Sequence, residues 1–85
     1  MKYTSIPAVT GKQLIRLLKR DGWVVRRRAK HGISLTKNIG DRTLVTVIPD
    51  TRASLDKGTL MAILNIKQTR LGKKGLLKLI NKYGI

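Results

Sequence analysis

His31 is the one histidine in a chain of 85 residues that contains neither cysteine nor glutamate. It follows Arg26, Arg27, Arg28 and Lys30 and precedes Gly32. An imidazole titrates near neutral pH, so it can accept or release a proton. Guanidinium forks grip two phosphate oxygens at once, and a neighbouring glycine lets a backbone or ligand approach closely. Judged by composition alone, a lone histidine is more often structural than catalytic. One imidazole among cations is nevertheless enough for one reaction, the cleavage of RNA. The ribose 2′-hydroxyl is a built-in nucleophile, so the protein need supply neither nucleophile nor metal. It must remove a proton, stabilise charge on the phosphorane oxygens and help the 5′-oxygen leave. Nearby cations disfavour a further positive charge, which helps keep His31 neutral and basic.

The expected site is therefore His31 for proton transfer, with Arg26, Arg27, Arg28 and Lys30 holding RNA, and no metal or other cofactor. Strand alternation keeps the cations from all facing one way. Arg28 and Lys30 share one side, and Arg27 shares the side of His31 provided no bulge intervenes.

The charge of the whole chain points to the same kind of ligand. Nineteen Lys and Arg stand against four aspartates, a net charge of +15. Such a field attracts polyanions over about a Debye length, ~8 Å at physiological salt. Nucleic acid leads, ahead of an acidic protein and an anionic membrane surface. Without cysteine there is no disulfide framework, thiolate zinc site or cysteine nucleophile, and one histidine with four scattered aspartates is a poor metal-binding set. No apolar run reaches membrane-spanning length. The N-terminal apolar stretch from Ile6 to Val9 is too short for a secretory signal and contains Pro7. A cytoplasmic chain with no membrane partner is expected.

The elements that must position these residues are legible in order. Thr10 and Gln13 form a capping-box pattern ahead of Leu14, Ile15, Leu17 and Leu18, one apolar helical face, and Gly22 stops that helix. Trp23 to Lys30, Ile33 to Thr36 and Thr43 to Ile48 read as a three-stranded antiparallel meander, with turn chemistry at residues 38–41. Trp23 is expected in the core. Asp56 caps a second helix with Leu60, Met61, Ile63 and Leu64 as its buried stripe, fading near Thr69 to Gly72. A final helix runs from about Lys73 to Tyr83 and stops at Gly84. One domain follows, with an extended lead-in at residues 1–9, a core at 10–72 and a C-terminal helix at 73–85. The fold class is α+β, α-β-β-β-α with an extra C-terminal helix: a three-stranded antiparallel sheet with helices on one face. The order resembles a double-stranded RNA-binding domain.

The stretch from Ile6 to Leu14, then Leu17-Leu18 and Gly22-Trp23, resembles the opening of the HicA family, mRNA-cleaving toxins of HicAB toxin–antitoxin modules. His31 falls where that family carries its catalytic histidine. Pro49 after the third strand, then Lys57-Gly58-Thr59-Leu60 with Ile63-Leu64, resembles its late signature. Two departures stand out: Ala29 and Lys30 occupy the positions of a usual Gly-Ser, and Asp50, Thr51 and Arg52 replace a region with a second histidine. The resemblance implies a double-stranded-RNA-binding-like fold, mRNA cleavage and a HicB-type antitoxin that masks the active site. For Gly58, Thr59 and Leu60 themselves a structural role at a helix start is expected. The alternative reading is a non-catalytic RNA-binding module using the same basic sheet face. A DNA-binding reading would rest on Arg16, Lys19 and Arg20 along the first helix.

Overall fold

The computed structural model describes residues 3–30 and 32–85, so Met1, Lys2 and His31 lie outside the described residues. The elements run α1 (Gly11–Arg20), β1 (Val24–Ala29), β2 (Gly32–Ile39), β3 (Arg42–Ile48), α2 (Lys57–Leu64) and α3 (Gly72–Tyr83). This is the expected α+β order. The strands form an antiparallel sheet in the order β1-β2-β3.

Helix α1 begins at the predicted capping box. The Gln13 amide donates to Thr10 Oγ1 at 3.1 Å, and the Thr10 amide donates to Gln13 Oε1 at 2.9 Å. Each bond satisfies an amide that a helix start would otherwise leave unpaired. Leu14, Ile15, Leu17 and Leu18 are buried on one face, each contributing about 1.5–3 kcal/mol by leaving water. At the far end Gly22 takes φ +97°, and the Trp23 amide reaches back to the Leu18 carbonyl at 2.9 Å. Trp23 is buried in the core, as expected.

The strands alternate as their sequence requires. Ile33, Leu35, Leu44 and Ile48 point into the core, while Val24, Val45 and Val47 are about half exposed on the opposite face. Gly40, with φ +61°, opens the tight turn between β2 and β3, in the sense that matches strand twist when glycine comes first. The helices cover the inner face. Leu60, Ile63 and Leu64 from α2 and Leu76, Leu79 and Ile80 from α3 join the same core cluster.

Helix α2 departs from expectation at its end. It stops at Leu64, several residues before Thr69. The polar residues that follow take over its bonds. The Thr69 amide and Oγ1 both donate to the Ile63 carbonyl, at 3.1 and 2.7 Å, and Asn65 Oδ1 accepts from the Lys67 amide at 3.2 Å. Short polar side chains offer the backbone these alternatives to a continuing helix. Asp56 caps the start as predicted, accepting from the Thr59 amide at 2.7 Å. Thr59 thus serves the helix start and Leu60 packs in the core, the structural role expected of these two residues, whereas a Cβ at Gly58 would meet only an ordinary contact with Asp56. No helix among the described residues is long and apolar enough to cross a membrane.

Candidate phosphate cleft

Two glycines allow four chain segments to converge. Gly32 opens β2 opposite Ala29, with φ +150°, and a side chain there would run into the Ile48 carbonyl and the Pro49 nitrogen. Gly11 opens α1 directly against the Pro49 carbonyl, where a Cβ would collide with the oxygen. The end of β3 is thereby pressed between the starts of β2 and α1. Hydrogen bonds fix the segment that follows. The Lys12 amide donates to the Thr51 carbonyl at 3.1 Å, the Thr51 amide to the Pro49 carbonyl at 3.0 Å, and the Leu55 amide to the Val9 carbonyl at 2.8 Å.

A cleft of about 470 Å³ opens at this junction, with Arg28, Lys30, Gly32, Pro49, Asp50 and Thr51 among its walls. Asp50 sits between two cations from different elements. Its Oδ1 accepts from Lys12 Nζ at 2.8 Å, and its Oδ2 lies 3.7 Å from Arg28 Nη1. The hydrogen bond from Lys12 is the largest influence on the Asp50 carboxyl and holds it below its ordinary value; burial opposes it, and the attraction of Lys12 and Arg28 adds to the lowering.

The predicted site residues divide. Arg28 and Lys30 border the cleft. Arg27 pairs in register with Ser34 and shares the outer face, since Ser34 alternates with buried Ile33 and Leu35. Arg26 falls in a bulge between Val25 and Arg27, and its Nε donates to Thr36 Oγ1 at 2.9 Å, also on the outer face. The irregularity lies upstream of Arg27, so alternation from Arg27 to Ala29 is undisturbed. All four cations are exposed. The predicted catalytic residue, His31, lies outside the described residues. Its chain neighbours Lys30 and Gly32 both line the cleft.

Lys12 and Asp50 were not among the residues expected to bind RNA. They stand 38 positions apart, and no local spacing announces that they meet. Among the described residues, no group of three His, Cys, Asp or Glu could hold a metal ion.

A second concavity, about 670 Å³, lies between the lead-in, α2 and α3. Ile6, Pro7, Leu60, Met61 and Leu77 give it an apolar lining, and Lys57, Lys73 and Lys74 also border it.

In comparison with known proteins, a family model described as HicA toxin of bacterial toxin-antitoxin matches residues 11–71. The match takes in α1, the sheet and α2 and stops just before α3. No curated protein and no solved structure matches the chain.

Proposed function

Because the chain belongs to the HicA toxin family of bacterial toxin–antitoxin systems, we propose that it is an endoribonuclease that cleaves mRNA, with His31 as its proton-transfer residue and a HicB-type antitoxin as its inhibitor. The observation that carries this reading is the cationic cleft bordered by both chain neighbours of His31.

In the proposed reaction the ribose 2′-oxygen attacks the adjacent phosphorus. The bond from phosphorus to the 2′-oxygen forms as the bond to the 5′-oxygen breaks. The products are a 2′,3′-cyclic phosphate and a free 5′-hydroxyl. Neutral His31 takes the 2′-hydroxyl proton. Arg28 and Lys30 offset the charge that builds on the phosphorane oxygens. The leaving 5′-oxygen receives its proton from a lysine or from water. Because RNA supplies the nucleophile, no step requires a metal, and DNA is not a substrate. Arg26 and Arg27, which do not border the cleft, hold flanking phosphates instead of the reacting one.

His31→Ala should abolish cleavage of purified RNA in the presence of a chelator while leaving the melting temperature and RNA affinity largely unchanged. An unchanged cleavage rate in that variant would refute the role of His31. Binding with no cleavage by the wild-type protein would leave a non-catalytic RNA-binding module. For the antitoxin, the expected outcome is that an acidic protein encoded beside this gene, once purified, blocks cleavage stoichiometrically.

A further inference from the structure

We propose that Lys12 and Arg28 form a phosphate subsite occupied in the free protein by the carboxylate of Asp50, and that RNA enters by displacing it. This deepens the RNA-cleaving reading and rests on it for the identity of the ligand. The geometry supplies the argument. Lys12 comes from the first turn of α1 and Arg28 from β1, yet both aim at one anionic group, at 2.8 and 3.7 Å. Two cations from separate elements that converge on a carboxylate are also arranged to converge on a phosphodiester, whose charge and oxygen spacing are similar. The backbone holds both: Lys12 follows Gly11, which is seated against Pro49, and its amide is tied to Thr51, while Arg28 is paired with Ile33 in the sheet.

Exchange is open to solvent. The side chains of Lys12 and Arg28 are 46% and 76% exposed, and that of Asp50 is 33% exposed. An ion pair so placed is weak, and a polyanion that releases counterions on binding can replace it. The placement of Asp50 is also distinctive within the chain. Of its four aspartates, Asp56 caps α2, Asp21 pairs with Lys37 at 3.1 Å, and Asp41 lies exposed in the β2–β3 turn. Only Asp50 borders the cleft. It thus lowers the affinity of a strongly basic protein for RNA at the one place where affinity matters for cleavage.

The test measures binding of a 2′-O-methyl RNA oligonucleotide, which lacks the attacking hydroxyl and cannot be cut. Asp50→Asn should bind about threefold to fivefold more tightly than wild type, with a steeper salt dependence, the slope changing by about −0.7 per extra phosphate neutralised. Lys12→Gln and Arg28→Gln should each weaken binding by a similar factor, and Lys12→Gln combined with Asp50→Asn should lose most of the gain. Asp41→Asn makes the same change in net charge at the far end of the β2–β3 hairpin. An equal gain in that variant, or no gain in Asp50→Asn that still melts cooperatively, overturns the proposal. Lys12→Gln provides an independent check, since unchanged affinity there overturns it as well. If wild type cuts natural RNA but this pattern is absent, the subsite alone falls. If the pattern holds and wild type does not cut, the nuclease reading falls and the subsite stands as part of a binding protein.

Discussion

The two concavities of this protein are built by opposite means. The cleft at the ends of β1 and β3 is shaped by backbone: Gly11 and Gly32 bring carbonyls within a distance that no side chain tolerates. Its polar groups are then aimed by ion pairing. The groove beside α2 is shaped by side chains, Ile6, Leu60, Met61 and Leu77 among them, on elements joined through ordinary core packing. The cleft is also built from residues within the segment that matches the HicA family, whereas the lead-in and α3 sides of the groove fall outside it. A backbone-made site admits few substitutions. A side-chain-made one can drift without disturbing the chemistry next door.

The sharpest way to break this contrast is Gly32→Val. A β-branched residue at φ +150° that also meets the Ile48 carbonyl should lower stability by about 3 kcal/mol or more, read by chemical denaturation, and RNA affinity should fall with it. Leu60→Ala tests the groove. It removes a buried side chain from the core cluster and should lower stability by about 2–3 kcal/mol, yet the protein that remains folded should bind 2′-O-methyl RNA as wild type does. Loss of RNA binding in folded Leu60→Ala would show that the two regions are not independent.

Smaller effects sharpen the picture at the helix starts. Thr10→Ala removes half of the capping box that anchors α1 beside the cleft and should lower stability by about 1 kcal/mol. A modest weakening of RNA binding is expected too, because Lys12 sits in that first turn. The smallest effect concerns pH. Asp56, at the start of α2, has its carboxyl held below the ordinary 3.8, chiefly by the Thr59 amide and then by the Thr59 hydroxyl. A depressed folded-state value means stability is present above 3.8 and lost as the pH falls through the lowered value. Asp56→Asn should therefore flatten the fall in melting temperature in that acidic window, and an unchanged acid limb would exclude the contribution.

Much of the architecture was legible because it depends on neighbours in sequence. Thr10 with Gln13, Gly22, Asp56 and Gly84 each act within a few residues of themselves, and all four do what their types imply. The strand alternation was legible for the same reason. The end of α2 was not, since Thr69 competes for the Ile63 carbonyl only after the chain has turned back on itself. The bulge at Arg26 was equally hidden, because a bulge is a property of two paired strands. On that account Arg26 and Arg27 could be named as cations but not assigned together to the outer face.

Composition and local pattern by themselves determined that this chain is strongly basic, has an α+β fold and clusters cations before His31. Charge sums and short-range periodicity need no third dimension. Only the tertiary structure decided which cations serve the cleft. It separated Arg28 and Lys30 from Arg26 and Arg27, and it brought Lys12 from α1 to Asp50 after β3. The physical reason is that an ion pair forms wherever the packed backbone leaves two charges within reach, and here that backbone is set by two glycines that let one strand end pass between a helix and another strand.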